Sequence, residues 1–449
     1  MSHASWRDSP AVSFETQREE FSVGLERAVL VTVALPDRPF LGEDPLAELR
    51  GLAETAGAIV VGTTTQKRMY PSPGSYIGKG KLAELQELVQ ATDANVVLFD
   101  NDLSPAQVRN LEKATNVKVL DRSELILDIF ATRARTAEAR LQVELAQLEY
   151  SLPRLRQMWS HLGRHAGGIG TRGPGETQLE EDRRLVGGRI RDLKAKLVEV
   201  QARKEREVAS RREEHTVSLV GYTNAGKSTL MNALTGADVL AEDKLFSTLD
   251  TRTRQWHLKD WGRVLLSDTV GFIRDLPHHL VASFKATLEE TRQARLLLHV
   301  VDASDPFAEE RIKAVNEVLK GLGCEGKPTL LVLNKADRVP DRSVLQVLEK
   351  HHPRSVAVSA SHRENLDGLR DAVIEMLASD FAEATVETGQ GNGKVLSYLA
   401  AHAEILRQEY KDDKVLIRCR LPKQLFHHIM GPNVTIAFHD GTRLDIPYE

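Results

Sequence analysis

The stretch at 217–234, VSLVGYTNAGKSTLMNAL, holds the residues best suited to chemistry. Gly221, Tyr222, Thr223, Asn224, Ala225, Gly226, Lys227 and Ser228 follow an apolar run and precede a helical pattern. That is G-x-x-x-x-G-K-S/T in the strand–loop–helix setting that a phosphate loop requires. Glycines let the backbone fold around an anion, and the opening helix turns its N–H groups toward it. Lys227 is placed to pair with β- and γ-phosphates, and the Ser228 hydroxyl to ligate Mg2+. The expectation is a nucleoside triphosphate site with Mg2+ as its cofactor.

Three further segments follow in the order a GTP site needs. LLSDTVG ends an apolar run with Asp268, Thr269, Val270 and Gly271. Asp268 suits Mg2+ through water, and the Gly271 N–H suits the γ-phosphate. LLVLNKAD ends another with Asn334, Lys335, Ala336 and Asp337. A carboxylate at Asp337 can accept both N–H groups on guanine's edge, which adenine lacks. Asn334 is expected to read the other edge and Lys335 to lie along the ring. SVAVSAS ends the last strand, and the backbone of Ser359, Ala360 and Ser361 can donate to guanine's oxygen. Bidentate base contacts are worth about 1–3 kcal/mol of discrimination, so GTP is expected over ATP. Between the phosphate loop and Asp268, a Thr must reach Mg2+; Thr248, Thr251 and Thr253 are all available, and spacing does not choose among them. A Ras-like site puts Gln directly after its Asp-x-x-Gly to orient water. Here that position is Phe272, and no catalytic base is evident.

These motifs need a scaffold. Over 25–132, AVLVTVAL, AIVVG, NVVLFD and VKVLD read as strands, with DPLAELRGLAETAG, KGKLAELQELVQA and SPAQVRNLEKATN as helices between them. Such alternation predicts a parallel sheet. Segment 133–214 predicts a helical hairpin. Leu141, Leu145, Leu148, Leu152, Leu155, Trp159 and Leu162 alternate steps of four and three, as do Val186, Ile190, Leu193, Leu197 and Val200. Both are single-face stripes, and two stripes joined by a short loop pack antiparallel. Pro153 predicts a kink in the first helix. The joining loop, 166–176, carries Gly167, Gly168, Gly170, Arg172, Gly173 and Gly175. That is more glycine than a turn needs, and it reads as a contact tip. The phosphate-loop domain takes 215–380, and 385–449 forms a small α+β domain. The fold class is therefore multi-domain α/β.

Charge sharpens the picture. Segment 133–214 has 18 Lys and Arg against 13 Asp and Glu, so it carries +5 within a chain of net −4. A basic hairpin on an acidic protein points to a local polyanion partner. Cys324 and Cys419 are too few for a disulfide framework and read as reduced packing residues in a cytoplasmic protein. The first twenty residues carry acids and no apolar core, unlike a secretory leader. No apolar run approaches the roughly 20 residues that span a bilayer.

GYTNAGKSTL, FSTLDTRTR, DTVGFIRDLP and NKAD, preceded by GGIGTRGPGETQLE, resemble the HflX family of translation-factor-type GTPases. RARTAEARLQVELAQLEYSLPRL and GSYIGKGKLAEL also match that pattern, so the similarity spans about 29–377. The resemblance implies a GTPase, stimulated by the ribosome, that binds the large ribosomal subunit and dissociates stalled or stress-arrested ribosomes. It implies that the 167–175 tip contacts ribosomal RNA near the peptidyl-transferase region. It also identifies FSTLD as the first switch. Phe246, Ser247, Thr248, Leu249 and Asp250 then join the GTP site, and Thr248 becomes the Mg2+ ligand. Ser247 departs from the Ala common in relatives. A monomer is expected. Two other readings stay open: a regulatory switch that recruits a protein, and an RNA remodeller with ATP-linked activity in the N-terminal domain, which lacks a second phosphate loop.

Overall fold

The computed structural model describes residues 26–439, apart from 41, 43, 159–173, 210–214, 237–244, 247, 250, 259–260, 275–287, 379–380, 412 and 432–433. The architecture is multi-domain α/β. β1 (Arg27–Ala34), β2 (Ile59–Lys67), β3 (Val96–Phe99) and β4 (Lys118–Asp121) form a parallel sheet in the order β2-β1-β3-β4. β1 buries seven of its eight residues, the signature of a central strand covered on both faces. Its helices are α1 (Ala47–Ala56), α2 (Lys79–Thr92), α3 (Pro105–Thr115) and α4 (Arg122–Arg133). Their starts are written locally. Ser104 and Gln107 close a capping box ahead of α3, and the Asp121 carboxylate accepts the Glu124 N–H to cap α4.

The hairpin follows as α5 (Ala137–Met158) and α6 (Pro174–Ala209). α5 continues through Pro153, and α6 runs 36 residues, about 54 Å at 1.5 Å per residue. Leu145, Val186, Ile190 and Leu193 are buried between them, with Leu141, Leu148, Leu152 and Leu197 at the margin. Arg189 clasps Glu144 through two hydrogen bonds of 2.8 and 3.0 Å, and Lys194 pairs with Glu149 at 2.7 Å. α5 has a second apolar face. Ala139, Val143 and Ala146 enter the N-terminal core beside Ile126 and Phe130, which roots the hairpin. Of the expected tip, Gly167, Gly168, Gly170, Arg172 and Gly173 lie outside the described residues, and Gly175 falls in the first turn of α6.

The second sheet has the order β10-β9-β8-β5-β7-β6. Its strands are β5 (His215–Gly221), β6 (Arg252–Leu258), β7 (Gly262–Asp268), β8 (Leu296–Asp302), β9 (Thr329–Asn334) and β10 (Ser355–Ala357), with only the β6–β7 pair antiparallel. α7 (Lys227–Thr235), α8 (Glu289–Gln293), α9 (Ala308–Gly321), α10 (Arg342–His351) and α11 (Leu366–Ala378) accompany it. Four of the motifs fall at the carboxyl ends of β5, β7, β9 and β10, where open α/β sheets bind ligands. A last antiparallel sheet, β12-β13-β11-β14, comprises β11 (Phe381–Gly389), β12 (Glu404–Lys411), β13 (Lys414–Pro422) and β14 (Val434–Phe438), with α12 (Gly393–His402) between the first two. Alternate residues Ala382, Ala384 and Val386, facing Val415, Ile417 and Cys419, form its core. Among the described residues no helix is long and apolar enough to cross a membrane.

Candidate nucleotide site

β5 delivers the loop. It is flanked by β7 and β8 on both sides, and its last five residues are buried. The chain then turns through Tyr222–Gly226 into α7, around a cleft lined by Thr223, Asn224, Gly226, Lys227, Ser228, Phe246, Thr248, Thr269 and Gly271. Gly226 has φ +90°, and a Cβ there would strike the Asn334 carboxamide. A Cβ on Gly271 would lie 2.7 Å from the Thr223 Cα and 3.1 Å from the Lys227 Nζ. Both glycines are therefore sterically required. The Lys227 Nζ donates to the carbonyls of Gly221 (3.2 Å) and Tyr222 (2.9 Å). Burial lowers its pKa to about 8, against the pull of Asp268. The ammonium thus lies within the cleft, held by weak acceptors that a phosphate's charge would outcompete.

Three oxygens converge beside it. The Ser228 Oγ lies 2.9 Å from the Thr248 Oγ1 and donates to the Asp268 Oδ2 at 2.6 Å, and the Thr248 Oγ1 lies 3.3 Å from that Oδ2. The Asp268 Oδ1 is buried with no hydrogen-bond partner among the described residues. Burial raises the Asp268 pKa, opposed by Lys227, Ser228 and Thr248. A hard cation beside it would reverse that shift. Mg2+ takes oxygen ligands from one or two protein groups together with phosphates, and this donor set fits it. The structure separates the three threonines. Thr248 faces Ser228, while Thr253 sits in β6 with its hydroxyl on Ser267 and Glu290, and Thr251 precedes that strand. Leu249 is buried in the core, and Ser247 and Asp250 lie outside the described residues.

Thr269 donates to the Leu219 carbonyl at 2.7 Å, and Val270 is buried. Phe272 is 1% exposed, its ring in the core. Its backbone zips onto the phosphate loop, the Thr223 N–H donating to its carbonyl (2.6 Å) and its own N–H to the Gly221 carbonyl (3.0 Å).

At the far end, Asn334 is tied to two loops. Its Nδ2 donates to the Ala225 carbonyl (2.8 Å) and its Oδ1 accepts the Ala360 N–H (3.1 Å). The carboxamide thereby braces the phosphate loop against the Ser359–Ser361 turn, and its Nδ2 carries a second N–H that can still serve a base. Lys335, at φ +59°, pairs with Asp302 at 2.7 Å, and Ala336 opens a short 3-10 turn. The Asp337 carboxyl is held below the usual range by a hydrogen bond from Ser359, with the His362 Nδ1 3.4 Å away. The Ser359 and Ser361 hydroxyls lie 3.3 Å apart beside it.

Sequence reading missed a contribution from the N-terminal sheet. The Tyr222 hydroxyl donates to the Glu48 Oε2 (2.7 Å) and accepts the Arg274 N–H (2.8 Å). Glu48 is paired with Arg122, which also binds Asp100 at 2.7 Å and the Arg274 carbonyl at 3.2 Å. Arg122 is 1% exposed. Its two carboxylates raise its pKa despite burial, and Arg122 and Arg274 hold Glu48 low against its own burial. No sequence spacing signals this, because Glu48, Asp100 and Arg122 meet only when the N-terminal sheet folds, and Tyr222 and Arg274 join them only when the two sheets dock.

Three family profiles cover most of the chain: a GTP-binding GTPase N-terminal region over 43–131, a GTP-binding GTPase middle region over 133–211, and a 50S ribosome-binding GTPase over 216–335. With the cleft described above, they define a phosphate-loop GTPase, which binds GTP and hydrolyses it to GDP and phosphate. GTPase HflX of Escherichia coli strain K12 is 46% identical over 401 residues, covering 88% of this chain and 94% of the relative. GTPase HflX of Caldanaerobacter subterraneus is 42% identical over 419 residues, covering 92% and 96%. The chain belongs to the HflX family of GTPases. Among solved structures, a GTP-binding protein from Sulfolobus solfataricus in complex with GDP aligns at 24% identity and a TM-score of 0.44, covering 79% of this chain and 99% of that one.

Proposed function

We propose that this GTPase binds the large ribosomal subunit in its GTP state and uses that binding to dissociate stalled or stress-arrested ribosomes. The observation that carries the reading is the hairpin. α6 exposes Arg183, Arg191, Lys194 and Lys196 along a helix of 36 residues whose start adjoins the glycine-rich loop. A long basic arm with a backbone-rich tip suits a narrow, phosphate-lined RNA pocket. The name of the matched profile, a 50S ribosome-binding GTPase, supports the same partner.

In this reading Lys227 and the loop N–H groups hold the phosphates, Ser228 and Thr248 ligate Mg2+ with Asp268 behind them, and Asp337 reads guanine with the Ser359–Ser361 turn. Bound Mg2+ would screen the β- and γ-phosphate charge. Asn334 and Lys335 shape the base site from beneath. Phe272, buried where a water-orienting Gln would stand, leaves the second switch to be rearranged by the ribosome before hydrolysis is fast. Group assistance of that kind is worth about 10³–10⁵ in rate among GTPases. The domains divide at 25–132, 133–214, 215–380 and 381–449, the last starting with β11 rather than at the expected 385, and the protein acts as a cytoplasmic monomer.

The test is separability. Deleting 167–175, or substituting Arg172→Glu, is expected to leave intrinsic GTP hydrolysis nearly intact and abolish stimulation by large subunits. The Arg172→Glu defect should shrink as salt screens the contact. Hydrolysis is measured with and without large subunits across a salt series. A tip variant that loses intrinsic hydrolysis but keeps ribosome binding overturns the proposal.

A further inference from the structure

The first switch is held from outside its own domain. Leu245, Phe246 and Leu249 all belong to the core shared with the N-terminal helices, while Thr248 between them turns its hydroxyl to Ser228. Phe246 is 1% exposed and has φ +53°, a left-handed conformation unusual for a bulky residue. Such a conformation persists only where surroundings over-determine it. Two contacts do so here. The Phe246 N–H donates to the Thr223 Oγ1 at 2.8 Å. Its ring meets the Phe130 ring of α4 edge to face, with centroids 4.7 Å apart and planes at 78°. α1 packs against the switch as well, where a Cβ on Gly51 would come within 3.1 Å of the Leu245 Cδ1.

We infer that Phe130 is a positioning residue for the metal site: its ring fixes Phe246, and Phe246 sets the Thr248 hydroxyl among the oxygens of Ser228 and Asp268. Without the ring, Phe246 can relax to negative φ. That rotation falls two residues before Thr248 and swings its hydroxyl off the metal oxygens. The inference rests on the reading of Thr248 as a Mg2+ ligand. It makes the N-terminal sheet a determinant of how tightly GTP is retained with Mg2+. GDP retention without the metal does not depend on it.

The experiment uses the full chain with a fluorescent non-hydrolysable GTP analogue and the matching GDP analogue, following release across a Mg2+ titration and in excess chelator. If Phe130→Ala leaves about one molecule in ten with the switch set, the Mg2+ needed to retain the GTP analogue rises about tenfold. GDP release in chelator stays unchanged. Thr248→Ala should give a shift at least as large, and the double variant should be no worse than Thr248→Ala alone, because both act on one oxygen. Phe130→Leu, which keeps apolar volume but loses the ring edge, should shift the requirement less; it carries the test if Phe130→Ala shows no cooperative melt. Equal weakening of both nucleotides, additivity in the double variant, or no shift in any Phe130 variant overturns the inference. A Thr248→Ala protein with normal Mg2+ dependence overturns instead the metal reading beneath it.

Discussion

The sheets at 27–121 and 215–357 are both parallel around their centres, and in both the chemistry-bearing residues cluster at the strands' carboxyl ends. In the order β2-β1-β3-β4 the chain reverses direction between β1 and β3, where open α/β sheets place ligands. At that point the first sheet presents Asp100 and Asn101. The Thr32 hydroxyl reaches Asp100 at 3.4 Å, and Asn101 grips both backbone groups of Val33. What arrives there is Arg274 of the other domain, 3.5 Å from Asp100. At the matching place in the second sheet, β5 ends in Gly221, and Gly226 follows. Glycine leaves room for an anion and bare N–H groups to bind it; Asp and Asn fill the room and accept a cation. One topology thus serves as a seat for a neighbouring domain in one sheet and as a nucleotide cradle in the other, and the side chains just past the strand ends decide which.

The sharpest way to break that contrast is Arg122→Leu. It removes the guanidinium shared by Glu48 and Asp100, leaving only Tyr222, Arg274 and Thr32 beside them, and removing one partner from a buried ion cluster costs up to about 3–5 kcal/mol. Urea unfolding should show the loss, with GTP affinity changed little. A variant as stable as the wild type, or one that chiefly loses GTP, would mean the first sheet's carboxyl end is no docking seat.

A smaller effect is expected at the base. Asp337→Asn replaces an acceptor carboxylate by an amide, which should move preference from guanine toward xanthine by about 1–3 kcal/mol. Competition between GTP and XTP reads this directly, and unchanged preference would remove Asp337 from the base-reading role.

The smallest effect concerns pH. Burial sets Lys227 near 8. Bound phosphate needs the ammonium and raises its pKa again, so affinity should be level below pH 8. It should weaken as pH rises above that value, by up to about tenfold per pH unit. Calorimetric titration with GDP from about pH 7 to about pH 9 should show net proton uptake growing over this range. A binding reaction with no proton uptake would mean the amine keeps its charge without phosphate.

Much of the site was legible because its motifs are local. A phosphate loop is eight consecutive residues, and its strand and helix are its own neighbours in the chain. Thr248 was harder. Three threonines within six residues have the same chemistry, and only the packing of Phe246 and Leu249 into the core turns one hydroxyl toward Ser228. That Asn334 also braces the phosphate loop was not legible, because a carboxamide looks the same in sequence whatever backbone it meets. Its partners, Ala225 and Ala360, are distant in sequence. The two-faced character of α5 was missed for a related reason. The leucine stripe dominates its pattern, while the small residues Ala139, Val143 and Ala146 give little apolar signal until a core closes over them.

By itself the sequence determined the parallel sheets, the hairpin, the phosphate loop and the order of the nucleotide motifs. Each is set by hydrophobic period, by glycine, or by a functional group carried at fixed spacing. Only the tertiary structure decided how the Thr248 hydroxyl is turned to Ser228, that Asn334 ties Ala225 to Ala360, and that Glu48, Asp100 and Arg122 lock onto Tyr222 and Arg274. The first and last of these depend on the docking of two separately coded sheets, the second on strand ends far apart in the chain. Docking is governed by shape and by the desolvation of paired charges, neither of which leaves a period in the chain.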